Sequence, residues 1–347
     1  MHRTRPVRRH AAAARVAAIL LPTALVLAAF ARPALAQPPF FQSAAFHKFV
    51  DRMVQQHGFQ TSRLEHWFRH VHYRKDILKS IRQPAEKLPW YRYRRIFVTS
   101  SRIAEGVRFW QRNRALLQRA RKEYGVPPQI IVAILGVETR YGSHSGSYPV
   151  IDTLATLGFD YPPRGAYFRR ELEQFLLMAR AQDLDPDDIR GSYAGAMGMP
   201  QFMPSSYREY AVDFNGDGRK DLWHTHADAI GSIANYFARH GWRKGQPIVL
   251  RARPGSADAG KLSDGPLKPH TTVAALRKAG IEIDADGDGK DPAFLFALTE
   301  KQGKGYWVGL HNFYVITRYN HSPLYAMAVY QLSRAIRKQY QAGENAA

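Results

Sequence analysis

The chain has 347 residues, of which 45% are hydrophobic and 12% aromatic, no cysteine, and a formal net charge of +21. That length admits one large domain or two to three subdomains with a substantial core. The missing cysteine excludes disulfides and a lipid-anchored thiol, and the charge calls for a polyanionic partner.

The first 36 residues read as a secretory signal. Arg3, Arg5, Arg8 and Arg9 form a basic leader, 16–30 is almost wholly apolar, and Ala34-Leu35-Ala36 gives a small-x-small cleavage site. A membrane anchor needs about 20 apolar residues, and this run is shorter and contains Pro22. The expectation is a soluble periplasmic protein, stabilised by its core alone. In that location an anionic wall or membrane surface fits the basic charge better than nucleic acid does.

Downstream, 44–82 is expected to be mostly helical, with Phe46, Phe49, Val50 and Met53 at spacings of three and four. The aromatic and basic stretch 88–97 (LPWYRYRRIF) reads as a surface segment. Next, 100–124 reads as a helix stopped by Gly125, and Pro127-Pro128 opens the helix that ends at Gly142. Two more amphipathic helices are expected over 167–180 and 227–240. From 241 the texture changes to short strands and turns, with strands at 248–250, 294–298 and 306–309 and a short helix at 271–280. A helix over 324–337 closes the chain.

Four stretches carry candidate chemistry. In ILGVETRYGS (134–143) the aliphatic run delivers one carboxylate, Glu138, whose burial raises its pKa and suits it to donate a proton; the alternative is an ion pair with Arg140. In GSYAGAMGMPQFMPSSY (191–207) the glycines allow close approach of backbone, Ser192 and Gln201 offer neutral sugar-binding groups, and Phe202 offers a ring face. A tight packing element with Met197, Met199 and Met203 as core filler is the other reading. In DFNGDGRKDLWH (213–224) oxygen donors fall at EF-hand spacing: Asp213, Asn215, Asp217, the carbonyl of Arg219, and Asp221. His224 stands where the bidentate Glu belongs, and Asp228 one turn beyond is positioned to close the shell; an Asx-rich turn without metal is the alternative. The similar run at Asp284, Asp286 and Asp288 reaches Leu295 at its twelfth place and is a weaker candidate. Finally, Asn312, Arg318, Tyr319, Asn320 and Tyr325 are read as lying in one loop, which suits carbohydrate binding and equally an aromatic packing corner.

Taken in series, GVETRYG, GSYAGAMGMPQFMPSSY with YAVDFNGDGRKDLW, DAIGSIANYFARHGW, and NFYVITRYNHSPLYAMAV resemble the signature blocks of the membrane-bound lytic murein transglycosylase B family (glycoside hydrolase family 103). The likeness runs from about 46 to 335. It implies a mainly α (α+β) fold, with a lysozyme-like catalytic core, a helical subdomain and a small β-containing subdomain. The corresponding division is a signal at 1–36, helical subdomain at 37–125, core with calcium loop at 126–240, β-containing subdomain at 241–310, and a returning segment at 311–347. It further implies Glu138 as catalytic acid and base, Ser192, Gln201 and Phe202 along the cleft, and Tyr93, Arg164, Tyr167, Tyr236, Tyr319, Asn320 and Tyr325 at sugar- or peptide-contacting positions. Structural calcium on Asp213, Asn215, Asp217, Arg219 and Asp228 is implied, with no organic cofactor. Pro163 stands where the family often has an arginine, which weakens expected contact with peptide stems, and the absent cysteine marks a soluble relative rather than a lipoprotein.

The implied reaction cuts the bond between N-acetylmuramic acid and N-acetylglucosamine and closes a 1,6-anhydro ring, using one carboxylate where ordinary glycosidases use two. Its expected partners are peptidoglycan glycan strands and, beyond them, wall-synthesis proteins, with no nucleic acid and no stable membrane anchor, the chain acting as a monomer. A water-using muramidase and a non-catalytic, calcium-dependent wall binder are the alternatives.

Overall fold

The computed structural model describes residues 38–82, 87–284 and 289–345. The signal-peptide reading and the middle of the second acidic run lie outside them. The described chain is mainly helical, with two small antiparallel sheets. No helix among the described residues is long and apolar enough to cross a membrane.

The expected helical stretch 44–82 is three helices: α1 (Ala44–His57), α2 (Thr61–Arg69) and α3 (Lys75–Ser80). The Ser43 side chain accepts from the Phe46 amide to cap α1, and Gly58 ends it in the left-handed conformation. The stretch read as a surface segment is helix α4 (Trp90–Phe97), whose Trp90 and Tyr93 are buried; aromatics three apart on a helix face the core, and Arg92, Arg94 and Arg95 face solvent. The single helix expected over 100–124 breaks into α5 (Ser100–Arg112) and α6 (Arg114–Tyr124). At the break, buried Asn113 donates its side-chain amide to the Phe109 carbonyl, competing with the helical ladder.

Helix α7 (Pro128–Thr139) runs through the main core. Its first residue is proline and ten of its twelve residues are buried, so it is hydrophobic on all sides. It packs between α5, α6, α11 (His226–Arg239) and the long closing helix α15 (Pro323–Glu344). The expected helix at 167–180 is α9 (Gly165–Ala181), packed on α8 (Val150–Asp160) and α10 (Pro204–Tyr210), neither of which was expected.

The three expected strands are β3 (Val249–Arg253), β6 (Pro292–Thr299) and β7 (Lys304–Leu310), completed by β4 (Thr271–Thr272) and β5 (Glu282–Ile283) in the order β4-β6-β7-β3-β5. The period of two divides β6 between two cores. Phe294, Phe296 and Leu298 join the main core, whereas Ala293 and Leu295 join a small separate one with Val273 and Leu276 of helix α13 (Val273–Lys278). The corner 312–320, read as a loop, is largely helix α14 (His311–Tyr319), carried to the main core by stacking of Phe313 on Phe296 at 4.7 Å.

Candidate active site

Glu138 is half-buried on the last turn of α7, so a rigid buried rod fixes its backbone. The chain then reverses through three consecutive residues with positive φ: Arg140 (50°), Tyr141 (62°) and Gly142 (92°). Two side chains hold the first two in a conformation that costs non-glycine residues about 1–2 kcal/mol each. Arg140, the cation that sequence offered to Glu138, forks onto Glu105, with Nε 2.7 Å and Nη2 2.5 Å from the two carboxylate oxygens. That guanidinium holds the Glu105 carboxyl below its ordinary range. Tyr141 donates to the Arg102 carbonyl at 2.7 Å, and its ring fills space that a Cβ on Gly106 or Gly136 would occupy.

Thr139 ties this turn to the glycine-rich stretch. Its hydroxyl donates to the Met199 carbonyl (2.9 Å) and accepts from the Gly142 amide (3.0 Å). The stretch itself folds back from β2 (Arg190–Gly191), which pairs with β1 (Tyr148–Pro149), through bridges Gly191 to Met197 and Met197 to Phe202. Gly198 is required where it stands: its φ is +66°, and a Cβ would lie 2.7 Å from the Leu222 carbonyl oxygen. Met197 and Met199 are core filler, as one of the two readings had it.

The neutral groups along this wall are partly engaged by the wall. Ser192 Oγ accepts from the Ala194 and Ala196 amides at 3.3 and 3.1 Å. Gln201, with φ +51°, donates its amide to the carbonyls of Ser145 (3.1 Å) and Gly198 (2.9 Å).

A cluster of tyrosines packs against the same stretch. Tyr325 donates to Glu138 Oε1 at 2.5 Å across 187 positions of sequence. Its ring lies parallel to that of Tyr319, 6.4 Å away, and Tyr319 donates to the Pro200 carbonyl at 2.6 Å. Burial, and after it the negative charge of Glu138, pushes both phenols well above the ordinary tyrosine range, so both stay protonated donors. Tyr236 packs edge-on against Tyr319 (4.8 Å) and donates to the Arg318 carbonyl (2.6 Å). Phe202 is buried behind Tyr236 and Tyr319, and Tyr93 is buried near Tyr325. Asn320 follows α14 in extended, half-buried backbone. Arg164 and Tyr167 form their own pair at the start of α9, the guanidinium 4.5 Å above the ring, and burial raises the Tyr167 phenol to about 12.

The loop 213–221 closes on itself. Asp213 accepts from the amides of Gly216 and Gly218, both at 2.7 Å, and Asn215 donates to Asp217 at 2.7 Å. Asp228 is fully buried and accepts from the amides of Phe214 and Asp221, both at 2.8 Å. Burial raises its carboxyl, opposed by those amides and assisted by nearby Asp213. A buried carboxylate beside a second one, with an amide oxygen and a loop carbonyl on hand, is a donor set of the kind hard cations take. Yet among the described residues no three His, Cys, Asp or Glu side chains gather closely enough to hold a metal. The loop's own amides and Asn215 satisfy oxygens that an ion would claim.

Sequence reading missed Thr139 and Glu105. Thr139 sits inside the motif beside Glu138, but its bonding to Met199 depends on how the glycine-rich stretch folds. Glu105 lies a helix away, and nothing local marks it.

A family model described as a transglycosylase SLT domain matches residues 42–334. Membrane-bound lytic murein transglycosylase B of Escherichia coli K12 is 45% identical over 299 residues, 83% of this chain and 81% of that protein. The fold is similar to catenated lytic transglycosylase SltB1 of Pseudomonas aeruginosa (TM-score 0.82, 47% identity, 86% of this chain and 98% of that one). It is also similar to the Escherichia coli lytic transglycosylase SLT35 in complex with calcium (TM-score 0.79, 44% identity, 87% of this chain and 95% of that one).

Proposed function

Since the chain belongs to the SLT-domain lytic murein transglycosylases, whose fold is lysozyme-like, we propose that it cuts the β-1,4 bond between N-acetylmuramic acid and N-acetylglucosamine with Glu138 as the one acid and base. The observation that carries this is the Tyr325 hydrogen bond to Glu138 Oε1, which fixes a half-buried carboxyl at the end of a buried rod. Glu138 protonates the glycosidic oxygen as the C1–O bond breaks, and the muramoyl 2-acetamido group stabilises the cation. The C6 hydroxyl of the same sugar then attacks C1 and returns its proton to Glu138. No water is consumed, the product is a 1,6-anhydro end, and the intramolecular attack gains from proximity. Tyr325 steadies the carboxylate in the half-reaction where it is charged.

Ser192, Gln201, Tyr319 and Asn320 line the cleft in this reading. Phe202, Tyr93 and Tyr236 back its wall from buried positions, and Arg164 with Tyr167 meets the strand further out. The core is 126–240, flanked by 37–125 and 241–310 and closed by 311–347. Calcium would be held by Asp213, Asn215, Asp217, the Arg219 carbonyl and Asp228 once their oxygens turned from the loop's own donors, and would brace the loop without taking part in proton transfer. The enzyme acts as a soluble periplasmic monomer in wall turnover.

The test is a digest of purified sacculi analysed by mass spectrometry. Wild type yields anhydro ends and Glu138→Gln yields none while still binding sacculi. Reducing ends, heavier by one water, would overturn the transglycosylase reading in favour of a muramidase. Near-normal release by Glu138→Gln would remove Glu138 from its role.

A further inference from the structure

Helices α7 and α15 run from Glu138 and Tyr325 to a second feature at their far ends. A groove of about 860 Å³ opens there, lined by the start of α7, the last half of α15, the neighbouring faces of α5 and α6, and 242–251. At 1.5 Å per residue, Ile130 in its wall lies about 12 Å along α7 from Glu138, and Arg337 about 18 Å along α15 from Tyr325.

The lining is mostly basic and aromatic; its two acids, Asp284 and Glu344, are paired with Arg253 and Arg114. Arg121, Lys244, Arg334 and Arg337 are exposed and have no acidic partner among the described residues. Arg114 and Arg251 add two more cations, held by Glu344 (3.5 Å) and Glu300 (3.2 Å). The amino-terminal end of α7, the positive end of its dipole, faces the same space. Trp110 lies stacked on Tyr340 at 4.3 Å, and Arg251 lies 4.6 Å over Trp307. The indole N–H groups of Trp110, Trp242 and Trp307 are all buried without an acceptor among the described residues.

We infer that this groove is a second binding site for carboxylate-bearing peptidoglycan, holding the wall at a distance from the bond being cut. The inference rests on the peptidoglycan reading of the previous subsection. Guanidinium groups fork onto carboxylates, which both the lactyl group and the stem peptides supply, and half-buried Trp242 and Tyr330 in the lining offer ring surface to the apolar faces of sugars. Two helices shared by groove and active site set the spacing, so a strand seated in one presents its continuation, or a neighbouring strand, to the other.

The test uses full-length protein with Arg121, Arg334 and Arg337 each changed to Glu, with and without Glu138→Gln. Co-sedimentation of the Glu138→Gln protein with intact sacculi is expected to weaken at least tenfold on the triple change. Sacculi whose carboxylates have been converted to amides should show the same weakening with Arg121, Arg334 and Arg337 in place. Turnover of a soluble tetrasaccharide, too short to reach the groove, should stay within twofold of wild type. Unchanged co-sedimentation of the triple variant overturns the site, and full retention on amidated sacculi overturns the carboxylate as its ligand. Equal loss on the tetrasaccharide would assign the effect to the fold. Failure of wild type to cleave any sacculi would instead strike the proposed function.

Discussion

Tyr325→Phe removes one hydrogen bond and little else. Phenylalanine keeps the ring, its buried position, and its parallel arrangement with Tyr319. What disappears is the 2.5 Å donation to Glu138 Oε1. A hydrogen bond to a charged group contributes about 1.5–3 kcal/mol. The bond is stronger to the ionised carboxyl, so its energy is lost from the step in which the carboxylate forms. At about 1.4 kcal/mol per factor of ten, kcat on a soluble glycan should fall about 10- to 150-fold with KM nearly unchanged. The assay is steady-state release of anhydro-muropeptides, with circular dichroism and a thermal melt as controls for fold. Normal kcat in a folded variant would refute the reasoning, because Glu138 would then need no donor. A rise in KM at constant kcat would refute it differently, making Tyr325 a sugar contact.

Three further outcomes follow from the geometry. Gly198→Ala combines a left-handed φ with a Cβ 2.7 Å from a backbone oxygen; urea unfolding should show a loss of at least about 2 kcal/mol. Calcium at a hundredfold excess over its Kd should stabilise wild type by about 2.7 kcal/mol, chelator should reverse this, and Asp213→Ala should abolish the response. Identical melting curves in all three conditions would remove the calcium site. Arg140 holds the Glu105 carboxyl below its ordinary range, so this pair's stabilisation is present above the unfolded carboxyl value of about 4.3 and fades as pH falls through the folded one. Glu105→Gln should therefore have a lower Tm than wild type at pH 7, and the gap should close toward pH 3.

Much of the architecture was legible because its signals are local. The apolar run of α7, the glycine stop at 125, and the strand-like stretches of β6 and β7 each depend on residues close in sequence. The break at Asn113 was not legible, since its cause is a side chain turned back on its own helix and met by His226 from 113 positions away. α14 was taken for a loop because its asparagines and tyrosines suggest turns in isolation. Packing on the sheet overrides that preference, with Phe313 as the anchor. At the site, Glu138 and the tyrosine corner were visible as residue types, but the fork of Arg140 onto Glu105 was not. Choosing between two possible acids for one arginine needs the fold.

The long span between Glu138 and Tyr325 has a consequence in time. The acid and its phenol are separated by 187 positions, and the sheet from β3 to β7 lies between them in the chain. A polypeptide still emerging during synthesis contains Glu138 well before it contains α15. Until that last helix docks along α7, the carboxyl has no tyrosine beside it and the wall of rings is missing. On the proposed role of Glu138, activity therefore waits for α15, and its appearance during refolding reports the docking of that helix.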